Sequence, residues 1–187
     1  MEILYTEANE ALDLMGILEL QSLNHFTNIA EETAKEQGFV TVRHDFDTLS
    51  AMNKKFHHVI AKQGDRIVGY TLVMLKEFGK SIPELLSMFE EIESVQYKNM
   101  PLGQLPYFVM GQVCVAREVR GMNVFASLYE KLKQNMAQHF DYIVTEIAER
   151  NSRSMRAHSK IGFETIHSYT ELQSGERWNV VILPTHS

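Results

Sequence analysis

The sequence lacks the features that mark secreted or membrane-spanning chains. Cys114 is the only cysteine among 187 residues, so no internal disulfide can form and the chain suits a reducing compartment. No apolar run approaches the roughly 20 residues that a transmembrane helix needs. The amino terminus is acidic and has no basic-then-apolar signal pattern. These absences predict a cytoplasmic protein with no membrane partner.

An excess of positive charge is also missing. Lys and Arg number 18 against 24 Asp and Glu, which gives a formal net charge of −6 and argues against nucleic acid as a partner. The glycine-rich signatures of dinucleotide-binding and P-loop proteins do not occur. His57 and His58 fall in a histidine- and aspartate-rich stretch, but adjacent residues at a strand start point to opposite faces. The sequence therefore predicts no metal site.

What the chain does contain is the composition of a globular protein, with 44 % hydrophobic and 22 % charged residues. At this length the simplest organisation is one domain spanning residues 1–187. Periodicity predicts strands and helices in alternation. The expected helices cover residues 7–20, 28–37, 125–136 and 151–160, and a short helix is capped by Asp47 or Thr48 and runs through Asn53. The expected strands cover residues 2–5, 58–61, 66–75, 107–116, 142–147, 163–170 and 177–183.

The connection formed by residues 76–106 is longer than a hairpin needs. Ser81 and Glu84 form a capping-box pattern at the start of a helix within it. The apolar stripe of that helix consists of Leu85, Met88, Phe89 and Ile92. Two interpretations stay open, because such a segment is either an additional packed helix or a lid over an acceptor pocket.

A strand–turn–helix unit lies in the middle of the chain. The turn between the strand at 107–116 and the following helix carries Arg117, Arg120 and Gly121. The first backbone N–H groups of a helix have no partner within it, and the helix dipole is positive at that end. Guanidinium groups beside such a terminus suit a phosphate. An ordinary βα unit with solvated arginines is the alternative.

Two motifs resemble those of a known family. The run V-A-R-E-V-R-G-M-N-V-F-A-S-L-Y, residues 115–129, resembles motif A of the GNAT superfamily of acyl-CoA-dependent N-acyltransferases. The run N-S-R-S-M-R-A-H-S-K-I-G-F, residues 151–163, resembles its next motif. Asn123 and Phe125 stand where motif A has small residues, and His158 stands where the second motif has a tyrosine. Asn tolerates left-handed backbone, so Asn123 can preserve the turn.

The resemblance implies both a fold and an activity. The fold is α/β (α+β), with a GNAT-like mixed, mostly antiparallel twisted sheet, a central parallel strand pair and helices on both faces. The activity is transfer of an acetyl group from acetyl-CoA to a primary amine of a small molecule or peptide, by direct attack. The alternative is a non-catalytic acyl-CoA-binding or sensor domain. A homodimer is compatible with the sequence.

The resemblance also implies a site. The backbone of Val113 and Val115 would bond the pantetheine arm, and the turn at residues 120–126 would hold the pyrophosphate. The expected cofactor-binding residues are Val113, Cys114, Val115, Arg120, Gly121, Met122, Asn123, Val124, Phe125, Ala126, Asn151, Ser154, His158 and Lys160. We interpret Cys114 as a buried core residue rather than a nucleophile, because no His–Asp arrangement accompanies it.

Two candidate catalytic residues belong to this site, His158 from the motif and Glu146 from its place at a strand end. His158 occupies the place of the tyrosine that protonates the departing thiolate, and imidazole can donate a proton near neutral pH. Glu146 ends the second strand of the parallel pair and is the candidate base that receives the proton of the amine. Glu149, Glu77 and His167 stay open as rivals for the role of base.

Overall fold

The computed structural model describes residues 2–30, 38–79, 82, 85–172 and 174–186. The strands are β1 (Leu4–Glu7), β2 (Val59–Gln63), β3 (Arg66–Met74), β4 (Gln96–Tyr97), β5 (Met100–Pro101), β6 (Tyr107–Val115), β7 (Tyr142–Ala148), β8 (Glu164–Thr170) and β9 (Arg177–Pro184). The helices are α1 (Ala11–Asn24), α2 (Phe46–Lys55), α3 (Lys76–Gly79), α4 (Leu86–Ser94), α5 (Val124–Met136) and α6 (Ser152–Lys160).

Seven strands form one sheet in the order β1-β2-β3-β6-β7-β9-β8. The β6–β7 pair is parallel and the other neighbours are antiparallel, which confirms the expected sheet. The short strands β4 and β5 pair only with each other. A strand, the crossover helix α5 and a parallel strand form the βαβ unit that places one helix end beside the centre of the sheet.

Helices cover both faces of the sheet at β2 and β3. Lys62 forms an ion pair of 2.8 Å with Asp13 of α1, and its register partner Ile67 packs under Gly16 of the same helix. The neighbouring pair Ala61 and Gly69 faces the other way, as strand alternation requires. A Cβ at Gly69 would touch Val124 and Leu128 of α5, so this glycine lets α5 lie close to the sheet.

The long connection between β3 and β6 contains a helix whose apolar side is core. Leu85, Phe89 and Ile92 belong to the main hydrophobic cluster, and Ile92 is fully buried. A Cβ on Gly79 of α3 would lie 2.2 Å from the Phe89 ring, so α3 and α4 are tightly packed. The packing favours the structural interpretation of this segment over the lid. The capping residues Ser81 and Glu84 lie outside the described residues.

The helix expected at residues 28–37 is also largely outside the described ranges, because residues 31–37 are not among them. Its described beginning contains a 3₁₀ turn, Phe26–Asn28. Among the described residues, no helix combines the length and apolarity needed to cross a membrane.

Candidate active site

The parallel strands β6 and β7 separate in the middle of the sheet. Their register runs from the pair Tyr107 and Tyr142 to the pair Val109 and Val144 and then ends. Thr145 Oγ1 donates to the carbonyl oxygen of Met110 at 2.8 Å and so satisfies a backbone acceptor where the strands part. The β3–β6 register shifts at the neighbouring Gly111, which redirects the rest of β6. The result is an opening between two strands of one sheet.

Backbone groups of β6 face this opening. The N–H of Ala116 donates to the carbonyl of Val68 at 2.8 Å, so these two residues form a hydrogen-bonded pair. In an antiparallel ladder such pairs alternate with pairs whose N–H and C=O groups point away from the partner. Val113 and Val115 occupy the alternate positions opposite β3. Their backbone groups therefore point toward the side from which β7 has moved away.

A cavity of about 360 Å³ extends from this opening to the start of α5. It collects all of the expected cofactor-binding residues except Met122 and His158. Met122 is 55 % exposed beside the turn, and His158 lines a smaller neighbouring cavity. The sequence analysis did not identify the other lining residues, which are Asn24, Gly38, Phe39, Val40, Val119, Arg153, Ala157 and Ile161. No periodicity or motif marks the 38–40 segment.

The amino terminus of α5 forms one wall of the larger cavity. Asn123 precedes the helix with a φ of 62° and its side chain does not cap it, so the expected left-handed Asn123 is confirmed. The first helical hydrogen bond runs from Ser127 N to Asn123 O. The N–H groups of Val124, Phe125 and Ala126 therefore have no helical acceptor, and these residues line the cavity. Their position suits an anion.

Arg120 lines the larger cavity and is also bonded to neighbouring protein groups. Its Nε donates to Val115 O and its Nη2 donates to Asn24 Oδ1, each at 2.9 Å. Burial is the main cause that lowers its pKa from the ordinary value, yet the guanidinium stays charged. These bonds use part of its donor capacity, and the contact of Arg120 with the pyrophosphate stays a prediction. Arg120 connects the end of β6 with the end of α1.

Aromatic rings fill the space behind the helix terminus. The rings of Phe125 and His158 meet edge to face with centroids 5.0 Å apart, and Tyr129 and Phe163 complete the group. Histidine is shorter than the tyrosine of the resembled motif, and phenylalanine is larger than its small residue. The two departures lie against each other, so the larger Phe125 ring packs beside the smaller His158 ring.

The surroundings of His158 argue against its expected role as proton donor. Its side chain is 2 % exposed, Nδ1 lies 2.8 Å from the carbonyl oxygen of Ser154, and Nε2 lies 2.7 Å from Tyr129 Oη. A carbonyl only accepts, so Nδ1 carries the proton and Nε2 accepts from the tyrosine. Burial lowers the pKa of His158 to about 4. At neutral pH the ring is therefore the uncharged imidazole, a weak acid whose single N–H points to the Ser154 carbonyl oxygen.

Glu146 lies in the smaller cavity, of about 80 Å³, between the separated strands. Its Oε2 accepts from Tyr169 Oη at 2.9 Å, while Oε1 is buried and has no partner among the described residues. Burial chiefly raises the pKa of Glu146 to about 8, and the charges of Glu91 and Glu171 add to the rise. Such a carboxylate takes up a proton readily near neutral pH.

The rival bases lie elsewhere. Glu149 pairs with Arg177 at 3.3 Å, Glu77 with Lys55 at 3.4 Å and His167 with Glu91 at 3.7 Å. None of these rivals lines either cavity. Glu146 is therefore the one expected base that the fold places beside the opening in the sheet.

Cys114 is buried, and burial raises the pKa of its thiol to about 12. A thiol of this kind is not ionised near neutral pH and is a poor nucleophile. Within the described ranges, no group of three or more His, Cys, Asp or Glu side chains is arranged to hold a metal ion.

The family model described as "Acetyltransferase (GNAT) family" matches residues 20–163. The chain belongs to this family. The match spans α1 to α6 and includes both motifs that line the cavities. Membership confirms the expected class of enzyme, an acyl-CoA-dependent N-acetyltransferase with acetyl-CoA as co-substrate.

Solved structures share the GNAT fold over nearly the whole chain. The ribosomal-protein-S18-alanine N-acetyltransferase from Escherichia coli has a TM-score of 0.63 at 10 % identity, with 100 % of this chain and 96 % of that chain covered. The NatC complex bound to Gag peptide and CoA has a TM-score of 0.64 at 16 % sequence identity, with 98 % of this chain and 99 % of that chain covered. The structure of yncA from Salmonella typhimurium with acetyl-CoA has a TM-score of 0.63 at 12 % sequence identity, with 99 % of this chain and 95 % of that chain covered. A search of curated proteins gave no match.

Proposed function

We propose that the chain is one acyltransferase domain, residues 1–187, that acetylates a primary amine of a small molecule or peptide in the cytoplasm. The observation that carries the proposal is the unpartnered Oε1 of Glu146, buried where β6 and β7 separate. Two of the structurally similar proteins are a ribosomal-protein-S18-alanine N-acetyltransferase and the NatC complex bound to Gag peptide. This similarity supports the inclusion of peptide amines among the acceptors.

The described residues fit acetyl-CoA. The N–H groups at the start of α5 would bind its phosphates, and Lys160 adds a positive charge to the same cavity. The outward backbone of Val113 and Val115 would bond the pantetheine arm as a strand would. Because Arg120 already donates to the Val115 carbonyl, the N–H group of Val115 is the one left for this purpose. The co-substrate supplies an acetyl group activated as a thioester.

Glu146 supplies the base. An amine attacks only as the neutral form, so the proton that it releases must be accepted nearby. A carboxylate with a pKa of about 8 holds that proton better than an ordinary glutamate. The bond from Tyr169 holds one carboxylate oxygen, which leaves the other directed to the acceptor. No described residue places a second carboxylate in the same small cavity.

The test is thiol release from acetyl-CoA with a panel of small amines and peptides. In wild type, kcat/KM calculated on the concentration of neutral amine should rise with pH through about 8 as Glu146 ionises, then level off. Glu146→Gln should lower kcat/KM by about 10²–10⁴-fold and abolish this rise. Acetyl-CoA affinity should change little.

Glu149→Gln is the matched control, because Glu149 lies just after β7 and forms an exposed ion pair with Arg177. It should keep the wild-type rate and pH profile. Tight acetyl-CoA binding with no turnover of any amine would contradict the proposal and identify a non-catalytic acyl-CoA-binding domain. An unchanged pH profile in Glu146→Gln would remove Glu146 from the role of base.

A further inference from the structure

The larger and the smaller cavity meet at a short shared wall. Five residues line both cavities: Phe39, Val40, Val113, Asn151 and Ser154. If the proposed function is right, the cofactor arm occupies the larger cavity and the reacting carbonyl lies near Glu146 in the smaller one. The sulfur of the thioester must then lie at the shared wall.

Only two residues of the shared wall have polar side chains, and one of them already holds two backbone groups. Asn151 Oδ1 accepts from Ser154 N at 3.2 Å, and Asn151 Nδ2 donates to Phe39 O at 3.1 Å. Its amide therefore caps α6 and holds the 38–40 segment. Ser154 is the remaining polar side chain at the boundary.

The hydroxyl proton of Ser154 is directed by its neighbour. His158 Nδ1 carries a proton, because it lies 2.8 Å from the Ser154 carbonyl oxygen. The same nitrogen lies 3.2 Å from Ser154 Oγ, so the serine oxygen accepts there. A hydroxyl that accepts from His158 keeps its own proton for another acceptor. No described residue is that acceptor, and the hydroxyl borders both cavities.

We propose that Ser154 donates a hydrogen bond to the sulfur of the departing CoA thiolate. The amine nitrogen forms the new C–N bond, the C–S bond breaks, and its electron pair stays on sulfur. Glu146 receives the amine proton. Water protonates the thiolate, and Glu146 later returns its proton to water, so the reaction is balanced. Ser154 is a catalytic residue in this scheme, while His158 and Tyr129 position its hydroxyl.

The serine acts as a hydrogen-bond donor rather than as a net acid. A proton passed from Ser154 to sulfur could be replaced only through His158 from Tyr129. Tyr129 would then become a tyrosinate in the core, and burial raises the pKa of Tyr129 well above its ordinary value. The chain of three residues therefore polarises the hydroxyl without delivering a proton.

An equilibrium measurement tests this contact without turnover. Calorimetry on the full chain compares CoA with desulfo-CoA, which lacks the sulfur atom, at pH about 7 and about 9, on either side of the usual ionisation of a thiol. Wild type should prefer CoA, and more strongly at the higher pH, by about tenfold or more. Ser154→Ala should lose most of this preference, and Ser154→Thr should keep part of it.

The control is Ser159→Ala, an exposed serine on the same helix, which should keep the full preference. In turnover, Ser154→Ala should lower kcat by about 10-fold to 100-fold with little change in acetyl-CoA affinity. A preference for CoA that survives in Ser154→Ala overturns the contact while leaving the acetyltransferase proposal intact. Failure of wild type to bind either compound overturns both.

Discussion

At the scale of single residues, the two departures from the family motifs are best understood together. Phe125 replaces a small residue at the helix terminus, and His158 replaces a tyrosine on α6; the two rings are in contact. The exchange removes the phenol that the family motif directs at the sulfur. It also leaves Ser154, one helical turn earlier, beside the opening in the sheet. The site therefore differs from the motif in which atom can approach the thiolate.

The pair formed by Tyr129 and His158 leads to the first prediction. Tyr129→Phe removes the donor to His158 Nε2 and leaves a buried acceptor without a partner. The free energy of unfolding should fall by about 1–3 kcal/mol, measured by urea denaturation at neutral pH. Turnover should fall only a few-fold, because the pair positions Ser154 and supplies no net proton.

Tyr5→Phe serves as the control, since Tyr5 is half-buried and its hydroxyl makes no hydrogen bond within the described chain; both quantities should be unchanged. A hundredfold loss of turnover in Tyr129→Phe with unchanged stability would show instead that Tyr129 is the acid.

At the scale of elements, α4 has one face in the core and one edge near the proposed base, Glu146. Phe89 and Ile92 are in the core, whereas Glu91 approaches His167 of β8 at 3.7 Å and Ser87 approaches Glu171 at 3.3 Å. The helix thus stabilises the sheet and also contributes charge near Glu146. This packing favours a structural role for α4 over that of a lid.

Ile92→Ala should lower the free energy of unfolding by about 2–5 kcal/mol, since Ile92 is fully buried and its truncation leaves a cavity. Acceptor and acetyl-CoA kinetics should be affected only in proportion to the unfolded fraction. Glu90→Ala, on the exposed side of α4, should change the stability by less than about 0.5 kcal/mol. An acceptor KM that rises in Ile92→Ala while the protein stays folded would restore the lid interpretation.

Much of the element order could be predicted from the sequence, because each strand and helix has local periodicity. The crossover of β6, α5 and β7 and the terminal β8–β9 pair were foreseen for this reason. The separation of β6 from β7 was not, since it depends on Thr145 bonding to Met110, 35 positions away. The orientation of Arg120 depends on Asn24, 96 positions away. Pairings of this kind have no local signal.

The candidate site, like the fold, could be predicted from the sequence only in part. Motif positions predicted which residues surround the larger cavity, and the turn at Asn123 follows from the conformational tolerance of asparagine. The motif could not indicate that His158 turns toward Tyr129, because that depends on the space that Phe125 fills. Glu146 was foreseen by strand alternation alone. Its raised pKa arises from burial, to which the charge of Glu91 on α4 adds, and neither effect is visible locally.

At the scale of the whole molecule, buried titratable groups set the response to pH. Burial lowers the pKa of His44 to about 4, of His58 to about 3 and of His158 to about 4. A histidine whose pKa is lower in the folded state makes its full contribution to stability above the pKa of the unfolded state, about 6.5. That contribution is lost as the pH falls toward the pKa of the folded state. Glu146 acts in the opposite sense, because stability is lost as pH rises through about 8.

The free energy of unfolding should therefore decrease as pH falls from about 6.5 to about 4. The three histidines make the unfolded state bind up to roughly three more protons, and Glu146, which is protonated in the folded state over most of this range, reduces the net difference to roughly two. Urea denaturation across this range measures the slope. His44→Gln should reduce it by about one proton, because His44 is one of the three buried rings. His186→Gln is the control, since His186 is exposed. A slope that is the same in His44→Gln as in wild type would contradict this account of acid sensitivity.

The separation of β6 from β7 also has a mechanical consequence. Three register pairs and the Thr145 bond join a half-sheet of β1, β2, β3 and β6 to a half-sheet of β7, β9 and β8. Few backbone hydrogen bonds therefore connect the two half-sheets, so bonds added by a ligand would be a large fraction of the total. A ligand whose arm bonds to the backbone of Val113 and Val115 would fill the gap between the two half-sheets and connect them. We therefore expect ligand binding to make the whole sheet more rigid, including strands that lie far from the reacting atoms.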